Sequence, residues 1–286
     1  IAAALWGAPQ FDEPVVALSL GVLVAGFAQL LFQVPALAGI GLVPRPRWAP
    51  AHEGVRRILA LMVPALFGVS VSQINLLLDT VLASLLPSGS VSWLYYSDRL
   101  TELPLGVFAI AIATVILPTL SSQRARADDA AFANTLAWAM RSVLLVAVPA
   151  TAALVVLAEP LLATLFQYGA FSADDRAMAA ASLRAYTLGL GAFMLVKVLA
   201  PGFYAREDMR TPVRIGIIAM VCNMLLNVAF VFPLMTIFSM GHVGLALATS
   251  LSAWLNAGLL YRGLRRDAAL PGPSVPSKWL LQIGLA

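Results

Sequence analysis

Seven apolar stretches constrain the fold of this sequence more than any other feature. They lie at about residues 15–34, 58–86, 92–121, 142–158, 177–201, 213–233 and 242–261. Six of them approach or exceed the roughly 20 residues that a helix needs to cross a bilayer. Only 11% of the residues are charged and 60% are hydrophobic, whereas soluble domains are about 25% charged. The sequence therefore predicts an all-α membrane protein, a polytopic helical bundle.

The basic residues indicate which connectors face the cytoplasm. Alternate connectors hold four, three, three and four of them, which is 14 of the 18 Lys and Arg residues. The connectors in between, at 87–91, 159–176 and 234–241, hold only Arg176. Because cytoplasmic loops of membrane proteins are enriched in Lys and Arg, this alternation supports both the span count and the orientation.

The two ends of the sequence favour a fragment of a longer protein. The chain opens on IAAALWGA, which is typical of a helix already under way, and closes on WLLQIGLA, which is typical of a helix beginning. Between Pro160 and Phe171 the sequence predicts a short helix at the outer interface, because the segment is too short to span. Ser172, followed by two aspartates, predicts the start of the next helix.

Motifs of soluble enzymes and of metal sites are absent from the sequence. It contains neither a GxxxxGK phosphate loop nor HExxH, and its single cysteine, Cys222, lies in an apolar stretch. His52 and His242 fall on opposite sides of the membrane in the predicted topology, which argues against a shared metal. The sequence therefore predicts no catalytic residues, no cofactor, no metal and no nucleic-acid partner.

A charged cluster, Asp98-Arg99-Glu102, lies inside the third apolar stretch. On a helix, Asp98 and Glu102 are four residues apart and Arg99 and Glu102 three, so these charges can meet. Ser92 lies seven residues before Arg99 and shares its face. One charge at the bilayer centre costs about 2.5–3.5 kcal/mol even on insertion scales, so we expect the cluster to face the bundle interior or a wet cavity.

Two hypotheses account for the cluster. In the first, Arg99 is neutralised by Asp98 or Glu102 and the pair joins neighbouring helices. In the second, Arg99 binds an anionic substrate group, for which its planar fork of donors is suited, while the carboxylates orient it. The residues alone favour neither hypothesis, because ionisable groups within membranes serve both uses.

Four further polar residues are candidates for a second cavity site: Asp79, Arg184, Asn223 and Asn227. Asp79 suits either a cation or proton site or, as we favour, a helix cap near the outer membrane boundary. The two asparagines are four residues apart on one helix face, which favours hydrogen bonding between helices. Lys197 lies one turn from the cytoplasmic end of its span, where snorkelling accounts for it.

Four ordered motifs carry a family resemblance. The segment SWLYYSDRLTELPLGVFAIAIATVILPTLS resembles the signature helix of the MurJ (MviN) lipid II flippases, which are similar to the multidrug and polysaccharide exporter superfamily. LFQYGAFSADD, KVLAPGFYAREDMRTPVRI and LNAGLLYRGLR resemble the same family in the same order. The resemblance covers nearly the whole chain.

The resemblance implies fourteen helices in two six-helix lobes around a central cavity, followed by two more helices. On that plan, residues 1–48 hold the tail of helix five and helix six, the end of the first lobe. Residues 53–266 are helices seven to twelve, one complete six-helix exporter lobe. Residues 267–286 are a cytoplasmic connector and the start of helix thirteen.

The resemblance also implies a function in the bacterial cytoplasmic (inner) membrane. Members translocate lipid II, an undecaprenyl-pyrophosphate-linked disaccharide-pentapeptide used in peptidoglycan synthesis, cell wall biogenesis and cell shape. The family's essential arginine matches Arg99, and its functionally sensitive serine and glutamate match Ser92 and Glu102. Membrane lipids and a coupling ion or the membrane potential are the other expected partners, and no enzyme activity is expected.

Other functions remain open from the residues. A cation-coupled exporter of drugs or of other polyprenyl-linked saccharides would use Asp79 or Asp98 as its ion site. A membrane scaffold that binds lipid-linked precursors without moving them is a further alternative. The family's remaining cavity arginines belong to helices one and two, outside this sequence, so we expect this chain not to act alone.

Overall fold

The computed structural model describes Gly7 and residues 14–41, 52–238 and 240–266. The described residues form ten α-helices and contain no strand. The helices are α1 (Pro14–Gly39), α2 (Glu53–Ser84), α3 (Ser90–Pro104), α4 (Ile110–Ala125), α5 (Asp129–Val156), α6 (Ala158–Phe166), α7 (Ala173–Thr187), α8 (Leu190–Tyr204), α9 (Arg210–Phe238) and α10 (Gly241–Arg266). The predicted all-α membrane class is confirmed.

Five of the described stretches are long and apolar enough to cross a membrane, and a sixth is a bent helix pair. The five are Ser19–Gly39, Ser90–Ala125, Asp129–Val156, Arg210–Thr236 and Gly241–Arg266. The bent pair is α7 and α8, which meet at 43° and cover the predicted span 177–201. The helix α2 covers the predicted span 58–86 but is not in this set, so that span stays a prediction.

The chain divides into two compact units, Ile1–Arg56 and Arg57–Ala286. In the first unit, the described structure is mainly α1. The predicted tail of helix five and the predicted connector with the start of helix thirteen, residues 267–286, lie outside the described residues.

The main core of the second unit joins α4, α5, α8 and α10. Each helix contributes side chains that are fully buried, such as Leu120, Leu136, Met194 and Leu260. Lipid is as apolar as these side chains, so close packing rather than escape from the surroundings holds such helices together. Glycines permit that packing: a Cβ at Gly189 would lie 2.7 Å from the Ser250 hydroxyl.

The third apolar stretch is one long span interrupted by a π-helical turn. The turn runs from Leu105 to Ala109, between α3 and α4, and directly follows Pro104. Proline lacks an amide hydrogen and crowds the preceding turn, and π-helical turns are often found at functional sites. The charged cluster therefore lies just before a local break in its own helix, which directly follows Pro104.

The short helix and the helix start predicted between Pro160 and Ser172 are both present, while their placement at the outer interface stays a prediction. The segment after α5 forms a short helix, α6, and Ser172 caps α7 with a capping box. The Ser172 hydroxyl accepts from the Asp175 amide, while the Asp175 carboxylate accepts from the Ser172 amide at 2.8 Å. Asp175 also accepts from the Trp93 indole at 2.8 Å, which ties the outer ends of α3 and α7 together.

Candidate functional site

An ion pair within α3 forms the centre of the candidate site. The Arg99 guanidinium donates from Nη1 to Glu102 Oε2 at 2.5 Å, across the predicted spacing of three residues. The Arg99 and Glu102 side chains are 51% and 48% exposed, so the pair lies on the surface of the lobe and not in its core. The Arg99 Cζ atom also lies 4.9 Å from the centroid of the Tyr95 ring, a cation–π contact that steadies the guanidinium.

The other two residues of the predicted cluster are placed differently. Asp98 makes no ion pair with Arg99 in the described structure, although the sequence allowed either carboxylate to do so. It points instead into a cavity of the lobe. Ser92 lies exposed in the first turn of α3, on the predicted face, but is not among the residues that line the cavity. Of the four predicted binding residues, the structure therefore joins Arg99 and Glu102 directly.

The cavity has a volume of about 860 Å³ and lies among α2, α3 and α8–α10. Its wall from α3 consists of Asp98, Thr101 and Glu102, followed by Leu105 of the π-helical turn. Polar side chains from the other helices complete the polar part of the wall: Asn75, Lys197, Tyr204, Asn223, Thr249, Ser252 and Asn256. Most of the remaining lining is aliphatic. The cavity thus has a wall of mixed polar and apolar character, to which Glu102 of the pair contributes but Arg99 does not.

Lys197 is a cavity residue that the sequence assigned to snorkelling. It lines the wall together with Val196, Ala200, Pro201 and Tyr204, which share one face of α8. Spacings of three and four residues along a helix place side chains on a common stripe, so the register of α8 sets its direction. In the sequence, the spacing of Lys197 from Pro201 and Tyr204 indicates that the three residues share a helix face. The spacing alone does not indicate that this face lines a cavity.

A group of amides surrounds Asp79 between α2 and α9. Asn75 donates to Asp79 Oδ2 at 3.0 Å, and Asn227 donates to Asp79 Oδ1 at 2.7 Å. The second bond joins residues 148 apart in sequence. The favoured assignment of Asp79 as a helix cap is therefore wrong, because its carboxylate accepts from side chains rather than from backbone amides at a helix start. The predicted hydrogen bonding of Asn227 between helices is confirmed.

Asn223 extends this group towards α10 and the cavity. Its amide nitrogen lies 3.4 Å from Thr249 Oγ1, and its oxygen accepts from Asn227 at 3.1 Å. Turning the amide over instead places its nitrogen 3.2 Å from Asp79 Oδ1 and 3.1 Å from the Asn75 oxygen. The turned orientation satisfies both ends of the amide better, and either orientation keeps Asn223 within the group.

Arg184 does not line the cavity described above, and its predicted place in a second cavity stays a prediction. Its Nη2 donates to Glu159 of α6 at 3.0 Å, and its Nε donates to the Val155 carbonyl at 3.3 Å. The two side chains of the ion pair are 44% and 49% exposed. Arg184 therefore joins α7 to α6 and the end of α5, because its long side chain reaches back towards the outer end of its helix, and it lies outside the cavity lining.

Comparison with known families gives one result over almost the whole chain. The family model described as "Lipid II flippase MurJ" matches residues 1–283. A relative from Haemophilus influenzae named "Probable lipid II flippase MurJ" is 54% identical over 272 residues, which cover 93% of this chain and 52% of the relative. A relative from Burkholderia cenocepacia named "Lipid II flippase MurJ" is 44% identical, over 93% of this chain and 51% of the relative.

Solved structures agree with this result. One described as "Lipid II flippase MurJ, inward closed conformation" superposes with a TM-score of 0.68 at 27% identity, over 86% of this chain and 49% of that one. An outward-facing multidrug resistance MATE family transporter of the MOP superfamily has a TM-score of 0.61 at 19% identity, over 80% of this chain and 50% of that one, and shows the shared fold alone. The chain spans about half the length of the relatives it matches.

Proposed function

The chain belongs to the lipid II flippase MurJ family, and on that premise we propose that it supplies one lobe of a transporter that moves lipid II across the cytoplasmic membrane. In this proposal residues 53–266 form a six-helix lobe and residues 1–48 the end of the other. The rest of the longer protein supplies the remainder of the cavity. The membrane is the bacterial inner membrane, and the partners are lipid II and the surrounding lipids.

The Arg99–Glu102 pair carries this proposal. A guanidinium held half-exposed on a helix long enough to cross a membrane is costly to insert, even when it is paired. The pair lies beside the cavity that Glu102 lines, so a pyrophosphate can replace Glu102 there and accept two parallel hydrogen bonds from Arg99. Glu102 then holds Arg99 in place while the cavity is empty, and Tyr95 limits its movement.

The mechanism is alternating access. Arg99 binds the pyrophosphate group of the substrate while the cavity is open to the cytoplasm, and rocking of the two lobes then exposes it to the outer side. Asp98, on the cavity wall, orients the headgroup and disfavours an empty closed cavity. Ser92 lies nearer the outer end of the same helix, on the path by which the substrate leaves. These steps break no covalent bond, so the protein is a transporter rather than an enzyme.

The test is Arg99→Ala in the full-length protein, measured as lipid II translocation in reconstituted vesicles with protein levels checked. We expect translocation to be lost, because charge-assisted hydrogen bonds to a buried anion contribute about 1.5–3 kcal/mol each. The matched control is Arg184→Gln, which removes an equally exposed arginine paired with a glutamate outside the cavity. Normal translocation by the Arg99→Ala protein would refute the proposal.

The Asp79 group favours a second candidate function, a cation-coupled exporter of drugs or of other polyprenyl-linked saccharides. A carboxylate is a hard ligand of the kind that binds small cations, and a cation at Asp79 would replace the Asn75 and Asn227 amides that donate to it. In a flippase the same group would take the coupling ion. Loss of transport in Asp79→Asn with Arg99→Ala tolerated would favour the drug exporter, and dependence on both residues would favour an ion-coupled flippase.

A further inference from the structure

Lys197 is the one cation in the described lining of the cavity, and the mechanism above leaves it unused. We propose that Lys197 is a second anion-binding position, on the cytoplasmic side of the cavity, which receives the anionic group of the substrate before Arg99 does. This inference rests on the proposed transport function and deepens it. The chemistry it recognises is a phosphate or carboxylate oxygen anion.

The first support is the direction of the side chain. Lys197 lies seven residues before the end of α8 at Tyr204 and is exposed on the stripe that lines the cavity. Snorkelling would send the ammonium along the lipid-facing surface to the headgroups. Lys197 instead lies on the face of α8 that lines the cavity, together with Val196, Ala200 and Tyr204.

The second support is that Lys197 has no counter-ion in the described part of the chain. None of the ion pairs described there includes Lys197. Asp98 and Glu102 share the cavity wall, but Glu102 is engaged by Arg99 at 2.5 Å and Asp98 is not within ion-pair distance of Lys197. An ammonium on the cavity wall without a protein counter-ion can bind an anionic group of a ligand directly, whereas Arg99 must first release the Glu102 carboxylate.

The third support is depth in the membrane. The Trp93–Asp175 hydrogen bond of 2.8 Å sets a common level for the outer ends of α3 and α7. Arg99 follows Trp93 by six residues, whereas Lys197 follows Asp175 by 22 residues across the bend of 43°. At about 1.5 Å per residue, Lys197 lies on the order of 20 Å nearer the cytoplasm than Arg99. The two cations therefore form successive positions along one path.

The inference is tested by measuring how tightly lipid probes bind to purified full-length protein and to two variants of it. Lys197→Met keeps the apolar stem of the side chain, and Lys197→Arg keeps the charge. The matched control is Arg262→Ala, which removes an exposed cation of α10 outside the cavity lining. The probes are undecaprenyl pyrophosphate, lipid II, and lipid II with its peptide carboxylates amidated. We expect Lys197→Met to weaken binding at least about tenfold, the value of one charge-assisted hydrogen bond, with Lys197→Arg and Arg262→Ala close to the unmodified protein.

The three probes identify the anion. Weaker binding of all three assigns Lys197 to the pyrophosphate, and weaker binding of unmodified lipid II alone assigns it to the peptide carboxylates. Either result supports the inference. Binding of all three by Lys197→Met at the unmodified level overturns it, as does an equal loss in Arg262→Ala, which would indicate a general field effect.

Translocation in vesicles separates this inference from the proposed function. If the unmodified protein translocates lipid II, and the Lys197→Met protein binds and translocates lipid II normally, only the proposed role of Lys197 is refuted. If the unmodified protein binds these lipids through Lys197 but translocates none, the flippase proposal falls and the binding site stands.

Discussion

Replacing Gly244 with alanine should separate α10 from α9, the helix that carries Asn223 and Asn227 of the Asp79 group. Gly244 lies on α10 against the backbone of α9. An added Cβ would lie 2.9 Å from the Phe230 carbonyl carbon and 2.9 Å from the Val231 nitrogen. These are helix backbone atoms, which cannot rotate away as a side chain can. Because carbon atoms rest at about 3.5–4.0 Å, the helices must separate by roughly 0.5–1 Å.

The expected cost follows from two opposing effects. Overpacking of a close contact costs about 1–3 kcal/mol, whereas alanine in place of glycine within a helix gains up to about 1 kcal/mol. We therefore expect Gly244→Ala to destabilise the protein by about 1–2 kcal/mol. The separation should also lengthen the contact between Asn223 of α9 and Thr249 of α10, which is 3.4 Å long.

The assay is thermal unfolding of the full-length protein in detergent, with Gly258→Ala as the matched control. Gly258 lies on the same helix, but no atom lies within 4 Å of the Cβ it would gain. Its substitution should leave Tm unchanged or slightly higher, while Gly244→Ala lowers it. Equal Tm values for the two variants would refute the argument that α9 and α10 are in backbone contact at Gly244.

Two further predictions concern the outer end of the lobe. Ser172→Ala should destabilise the protein by about 1 kcal/mol, because α7 loses the hydroxyl that accepts from the Asp175 amide. The control Asp174→Ala should have a smaller effect. Chemical denaturation of both variants measures the two losses of stability, and equal losses would contradict the capping box. Glu159→Gln should change Tm little, since an ion pair as exposed as Arg184–Glu159 contributes about 1 kcal/mol or less. A fall in Tm as large as that of Gly244→Ala would show that this pair is sequestered from water.

The spans could be predicted because hydropathy is a local property, but their ends could not. The sequence placed the fourth span at 142–158, whereas α5 begins at Asp129, capped by Asp128, which accepts from the Ala131 amide. Arg141 appeared to end the span because it is charged. Helices continue beyond the apolar region that crosses the membrane, so charge marks the boundary of the hydrocarbon and not the end of the helix.

Contacts between helices account for most of what the sequence missed at the site. The Arg99–Glu102 pair was predictable because it spans three residues of one helix. The bond between Asp79 and Asn227 spans 148 residues, and no local pattern indicates it. Lipid and protein core are equally apolar, so the faces of a membrane helix are not distinguished by hydrophobicity as they are in water. The directions of Arg184 and Lys197 therefore required the packed structure.

The π-helical turn at Leu105–Ala109 holds one residue more than a regular helix would need over the same length. Each residue of an α-helix advances the chain by about 100° around its axis. Deleting one residue in α4 would therefore swing Asp98 and Glu102 by about that angle, away from the cavity wall. Deleting one residue within the π-helical turn would instead restore a regular helix and leave both carboxylates facing the cavity. Substitution at Gly106 should be well tolerated, because no atom lies within 4 Å of its Cβ position. The span can thus shorten by one residue at this turn, and at few other places, without turning the charged cluster away from the cavity.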